Sequence, residues 1–332
     1  MAASSSPGPG VQADFDSLEQ AAQWYATLYD GDAGDERREA WAQWLAQRPE
    51  HRRAWAHIEA VSRRFAPLRV DGERDANATA VTVSAQRPAA RRRVLGALAM
   101  LGGAGLAGWI GWRDSLLSDR LTAWQSDYST GVGERRDIRL ADGTQVWLNT
   151  DSAFDADYSD VRRQLRLRMG ELLVDTGKDG AGRPFFVSSP NGRMQALGTR
   201  FTVRQAGDVT ILSVYEGRVS IDTLAGQREI VAAGRQRSFT AVAIGAESQA
   251  DPAREAWSRG VILADDITLG DLMTELARYR HGHIDVDPRV AGIRVVCRFP
   301  AADPGQTLAI LERDLPIRVR RPLPWWTSIS AR

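Results

Sequence analysis

The chain has 332 residues, with 43 cationic and 42 acidic side chains and a formal charge of +1. That balance, with no basic run longer than Arg91–Arg93, lacks the electrostatic footprint of a nucleic-acid binder, so no direct nucleic-acid partner is expected. A single cysteine, Cys297, excludes an intramolecular disulfide, and its place in an alternating apolar run predicts a buried thiol.

Residues 1–13 are small and rich in Pro, Gly and Ser, a composition that predicts disorder. A helical region is expected over 14–67. Leu18, Ala21, Ala22, Tyr25 and Leu28 recur at helical spacing, and Asp35-Glu36 opens a second helix carrying Trp41, Trp44 and Leu45. A third helix runs from about Glu50 through Trp55, Ile58, Val61 and Phe65 to Pro67. Four tryptophans, Trp24, Trp41, Trp44 and Trp55, stand in this small unit; either they form its core, or some remain exposed as anchors for a protein partner. Residues 68–93 show no helical period and read as a tether.

Val94 to Trp112 carries no charge over 19 residues. At about 1.5 Å per residue such a helix covers roughly one bilayer core. Its six glycines would weaken a soluble helix by about 1 kcal/mol each but are tolerated in lipid. Arg87 and Arg91–Arg93 precede it closely, whereas Arg113 and Arg120 follow. The positive-inside rule then predicts a single span with a cytoplasmic N-terminus and an exported C-terminal part. Arg91-Arg92 leaves twin-arginine export open beside the general route.

Residues 121–245 alternate in short runs punctuated by turns: Asp142-Gly143, Ala206-Gly207-Asp208 and Glu216-Gly217. Arg163 to Met169 alternates Arg/Gln with Leu/Met, a half-buried strand. An all-β domain of roughly ten strands follows, either a sandwich or a short solenoid. No His/Cys/carboxylate cluster has metal spacing and no nucleophile elbow occurs, so neither metal nor cofactor is expected. After a linker from Gly245 to Arg259, residues 259–321 read as a small α+β module of two βαβ units. Thr268 caps a helix bearing Leu269, Leu272, Met273 and Leu276, and Asp303-Pro304 starts another bearing Leu308, Ile310, Leu311 and Leu315. The predicted fold class is thus a multidomain single-pass membrane protein: a three-helix unit, one span, an all-β domain and an α+β module.

Three ordered patches carry a resemblance. AAQWYATLYDGD…WAQWLAQRPEHRRAWAHI (Ala21 to Ile58), LADGTQVWLNTDSAF (Leu140 to Phe154) with VSSPNGRMQALGTRFTV (Val187 to Val203), and the α+β module together resemble the FecR family of transmembrane anti-sigma regulators in iron-siderophore signalling. The resemblance implies an inner-membrane relay with a periplasmic C-terminal region. The cytoplasmic helices would bind an extracytoplasmic-function (ECF) sigma factor through Trp24, Trp41, Trp44, Leu45 and Trp55. The C-terminal module, similar to the short module of secretins and TonB-dependent transducers, would meet the signalling domain of a TonB-dependent outer-membrane receptor. A strand edge, or the helix carrying Leu269, Leu272 and Leu276 and followed by Arg280, would form that contact. Envelope proteases are further implied partners.

Two readings stay open beside the relay: a structural envelope-assembly protein, and a tethered periplasmic enzyme built on His281 and His283. Gly198-Thr199 likewise has two readings. It is a tight turn leading into a strand, or, as the resemblance implies, a bond that some family members cleave themselves by attack of the Thr199 hydroxyl on the Gly198 carbonyl.

Overall fold

The computed structural model describes residues 14–29, 35–77 and 126–332. The candidate span Val94–Trp112, the reading of 1–13 and most of the 68–93 tether lie outside these residues. No helix among the described residues is long and apolar enough to cross a membrane.

Asp14 opens α1 (Phe15–Tyr29) by accepting from the Ser17 amide at 2.9 Å and the Ser17 hydroxyl at 2.7 Å. α2 (Asp35–Gln47) begins with two acids, and α3 (Pro49–Asn77) begins with proline in the first turn, where its missing N–H costs nothing. One face of α3, His51, Ala54, Trp55, Ile58, Val61 and Ser62, is buried at helical spacing. The helix does not stop at Pro67 but continues to Asn77, so the first ten residues of the expected tether are helical. A proline removes one backbone donor, and the turns on either side of it persist.

The chain then lays down β1 (Tyr128–Ser129), β2 (Arg136–Arg139), β3 (Gln145–Leu148), β4 (Ala153–Tyr158), β5 (Arg163–Met169), β6 (Glu171–Asp175) and β7 (Phe185–Ser189). It continues with β8 (Gly192–Ala196), β9 (Arg200–Ala206), β10 (Val209–Glu216), β11 (Arg218–Thr223), β12 (Arg228–Ala232), β13 (Arg235–Phe239) and β14 (Ser248–Gln249). They form two seven-stranded sheets, ordered β1-β4-β5-β7-β8-β11-β12 and β14-β13-β10-β9-β6-β3-β2. Phe154, Leu165, Val187 and Met194 from the first sheet and Leu148, Leu172, Phe201 and Leu212 from the second share one core. A single core between two sheets is a sandwich, which decides against the solenoid. Each such side chain contributes about 1.5–3 kcal/mol on burial.

Arg163 lies on the same face of β5 as Leu165 and Leu167. It is buried and holds buried Asp142 at 2.6 Å, while also donating to the carbonyls of Gly177 and Arg183. Burial alone would raise the Asp142 pKa, but hydrogen bonds from Thr144 and Arg163 outweigh it and hold the carboxyl below its ordinary value. The Asp142-Gly143 turn thereby ties the β2–β3 hairpin to β5. The expected linker after Gly245 is also structured: β14 pairs with β13, and a 3-10 turn over Pro252–Arg259 is capped by Asp251.

The C-terminal elements are β15 (Val261–Thr268), α4 (Leu269–Leu276), β16 (His283–Val286), α5 (Pro288–Ala291), β17 (Arg294–Pro300), α6 (Pro304–Asp314), β18 (Ile317–Leu323) and β19 (Trp326–Ala331). Thr268 and Asp303 cap α4 and α6 as their sequence positions predict. β15 pairs with β17, and β16-β19-β18 forms a three-stranded sheet with β19 parallel to β16. β19 lies beyond the predicted end of the module, and without it β16 and β18 would have no common neighbour.

The chain divides into two compact units. The sandwich dominates one, while the other combines α1–α3 with most of the C-terminal module. Within this second unit Ala21, Tyr25, Trp55 and Ile58 share a cluster with Leu323, Trp325 and Trp326, and Glu19 meets Arg320 at 2.7 Å.

Candidate functional site

Strands that change sheets over one to three residues must turn sharply, and several of the sandwich's crossings are of that kind, three of them leading into or out of the adjacent strands β6, β9 and β10. The chain passes from one sheet to the other at Gly170, between β5 and β6, at Leu197–Thr199, between β8 and β9, and at Gly217, between β10 and β11. Gly217 has φ +76° and Gly198 φ +68°, conformations that disfavour side chains. The last two crossings touch: a Cβ on Gly217 would stand 2.4 Å from the Gly198 carbonyl oxygen and 2.7 Å from Thr199 Cγ2. Only glycine at 217 lets the two corners approach this closely.

Gly198 is exposed, and a Cβ there would meet nothing within 4 Å. Thr199, next in sequence, is 3% exposed, and its hydroxyl finds no hydrogen-bond partner among the described residues. An unpaired buried hydroxyl costs about 1–3 kcal/mol, and Thr199 Oγ1 shares that state with other buried atoms such as Arg237 Nε and Trp257 Nε1. The Thr199 backbone, in contrast, is fully held. Its N–H donates to Thr176 Oγ1 at 2.8 Å, and its carbonyl accepts from the Thr176 amide at 3.1 Å and the Thr176 hydroxyl at 3.2 Å. Arg200 fixes the following position through Glu255 at 2.9 Å and by lying over the Trp147 ring. A nucleophile-bearing residue with a clamped amide and an open carbonyl neighbour is the chemical content of this corner. Sequence reasoning singled out Gly198 and Thr199 but not Thr176, which is 23 residues away and carries no motif of its own.

The expected sigma-binding residues separate into two groups. Trp44 and Trp55 are buried. Trp44 stacks on His51 with ring centroids 4.3 Å apart, and its indole N–H donates to Gln20 at 2.8 Å; His51 Nδ1 lies 2.7 Å from the Trp44 carbonyl. Both are enclosed in this structure, in a cluster that also holds Leu323, Trp325 and Trp326. Trp24, Trp41 and Leu45 are half-buried and keep some face outward.

The expected transducer-binding leucines are enclosed as well. Leu269, Leu272 and Leu276 are each fully buried, because the apolar stripe of a short amphipathic helix is what its own sheet covers. Arg280 is half-buried and donates to Thr327 Oγ1 at 2.8 Å; burial, then Arg321 nearby, lowers its pKa. Cys297 is exposed on β17, not buried, although Val295 and Phe299 of the same strand are enclosed. His283 packs on Trp326, and no three His, Cys, Asp or Glu residues among the described ones come together to hold a metal.

Residues 126–220 match the family described as FecR protein, and residues 19–61 match a domain of unknown function, DUF4880. No curated protein matches the chain. Two crystal structures of a candidate anti-sigma factor from Parabacteroides distasonis ATCC 8503, at 1.65 and 2.50 Å resolution, resemble it. Both are 21% identical and cover 62% of this chain and 98% of their own, with TM-scores of 0.49 and 0.48.

Proposed function

We propose that this chain, which belongs to the FecR family through its domain at residues 126–220, regulates a sigma factor through its N-terminal helices. The observation that carries the reading is the pairing of that domain with the region at 19–61, a compact helical surface in another part of the same chain. Trp24, Trp41 and Leu45 form its contact face, around the buried pair Trp44 and Trp55. The full-length protein, isolated from its host in detergent, should retain an ECF sigma factor identifiable by mass spectrometry. Trp24→Ala with Trp41→Ala should lower that retention by about 2 kcal/mol or more, the scale of interface hot spots. Undiminished retention by a folded double variant would overturn the assignment of this face.

The relay extends across an inner membrane at Val94–Trp112, with a TonB-dependent outer-membrane receptor's signalling domain docking on the C-terminal module. With the α4 leucines enclosed, the outer edges of the β15–β17 pair, beside exposed Val296, are the surface suited to strand addition. A span at 94–112 and the packing of α1 and α3 on Leu323, Trp325 and Trp326 exclude one another in a single molecule, because the span places them in different compartments. The lone, exposed Cys297 reads out which arrangement the inserted chain adopts. A membrane-impermeant maleimide added to spheroplasts should label it, whereas protection until lysis would place the module inside and remove the relay.

The third part of the proposal is self-cleavage at Gly198–Thr199. Thr199 Oγ1 attacks the Gly198 carbonyl carbon through a five-membered ring; the C–O bond forms, the C–N bond breaks, the hydroxyl loses its proton and the nitrogen gains one. The resulting ester is hydrolysed by water, leaving a Gly198 carboxylate and a free Thr199 amine and hydroxyl. The unpaired hydroxyl and the exposed Gly198 support this chemistry.

A further inference from the structure

We infer that Thr176 is the partner side chain of the Gly198–Thr199 bond, holding its amide in place and giving a proton to the nitrogen as it leaves. The inference rests on the self-cleavage reading and adds a residue to it. An amide nitrogen is a poor leaving group until it is protonated, and in the planar amide it cannot accept a proton because its lone pair is delocalised into the carbonyl. Attack by Thr199 Oγ1 turns the Gly198 carbon tetrahedral and frees that lone pair. The group then closest to it is the Thr176 hydroxyl, 2.8 Å from the nitrogen in the resting state, where it accepts the Thr199 N–H. A hydroxyl both accepts and donates, so it can reverse its role once the pyramidal nitrogen turns its N–H aside and its lone pair toward Thr176. In the resting state its own proton points to the Thr199 carbonyl at 3.2 Å. As the nitrogen becomes basic, that proton transfers to it while the Thr199 hydroxyl proton leaves to water, and Thr176 recovers a proton from water. Charge and atoms balance, with water as the sole co-reactant.

Position supports the same role. Thr176 follows β6 directly, and β6 pairs with β9 so that Asp175 lies opposite Arg200. This pairing brings Thr176 level with Thr199. Its backbone N–H also binds the Thr199 carbonyl, so Thr199 is gripped at both amide and carbonyl by one residue. Gly217 completes the arrangement from the other side: lacking a Cβ, it leaves the Gly198 carbonyl oxygen room that any side chain would take. The scissile unit thus has a donor at its nitrogen, space at its oxygen and a nucleophile within its own sequence.

The test follows freshly synthesised, pulse-labelled full-length chain into fragments, with hydroxylamine added in a parallel sample to trap the ester. Thr176→Val and Thr176→Ala should slow conversion by roughly 10²-fold, the lower end of general-acid effects. Both should also slow hydroxylamine-induced scission, while the thermal midpoint of the unconverted chain stays near wild type. Thr176→Ser, which keeps the hydroxyl, should restore the rate. A folded Val or Ala variant that converts at the wild-type rate overturns the role of Thr176 and leaves self-cleavage standing. Failure of Thr176→Ser to restore conversion, in a folded chain, overturns it equally. A wild-type chain that never converts removes self-cleavage itself and Thr176 with it.

Discussion

Under denaturing conditions the wild-type protein should run as two fragments meeting at Gly198 and Thr199, and Thr199→Ala as one intact chain. The loss is complete because alanine removes the nucleophile, and no other hydroxyl sits within the same residue. Thr199→Ser should still cleave. Gly198→Ala is the informative intermediate case. Space is open at that position, but φ +68° strains an L side chain by about 1–2 kcal/mol, so partial conversion is expected. Under native conditions the fragments should stay together. β6 pairs with β9 in one sheet and β8 with β11 in the other, so each sheet holds a strand from either side of the cut. Separating them exposes two ladders and the core between the sheets, which demands force or denaturant. In the proposed relay, a pull on the C-terminal module is transmitted to those two ladders. A wild-type sample that remains a single band after prolonged incubation leaves the corner a structural turn.

The second large effect is on the helices. Trp44→Ala should destabilise the N-terminal unit by about 3–5 kcal/mol, the usual range for deleting a buried tryptophan. The ring is 6% exposed, stacks on His51, and lies beside Trp24 with centroids 6.4 Å apart. Its loss opens a cavity and also leaves Gln20 without the indole donor. Small helical units have little stability to spare, so helical signal and thermal midpoint should both fall. Any loss of partner binding in this variant then follows from unfolding. Trp24→Ala should behave oppositely, with helicity kept and binding reduced. If Trp44→Ala keeps the wild-type midpoint and loses only partner binding, the tryptophan is an anchor and not core.

Much of this architecture is local in origin and therefore legible in the chain. Thr268 and Asp303 cap helices because a short polar side chain before an apolar period satisfies the free amides of the first turn. Asp142-Gly143 and Gly207 turn hairpins because their residues accept the required backbone angles, and Gly143 indeed sits at φ +84°. Alternation in β5 correctly placed Leu165 and Leu167 inside. Arg163 lies on that same inward face, and an arginine can be buried there because a carboxylate from another hairpin neutralises it.

The residues that need a distant neighbour could not be assigned from the chain. Periodicity reports that Leu269, Leu272, Leu276 and Trp44 share apolar faces, but not whether a sheet of the same molecule or a partner covers them. Cys297 has the alternation of a core residue, with Val295 and Phe299 enclosed on either side of it, and is nevertheless exposed. Thr176 and Gly217 meet Gly198–Thr199 only because β6, β9, β10 and β11 bring separate corners of two sheets together. By itself, the sequence determined the order of the helical, β and α+β regions, that the β region follows a long uncharged stretch, and which bond carries an adjacent hydroxyl. Tertiary structure alone decided which of those side chains are enclosed and what stands beside that bond, since burial and hydrogen bonding between remote segments depend on how sheets close over one another and leave no period in the chain.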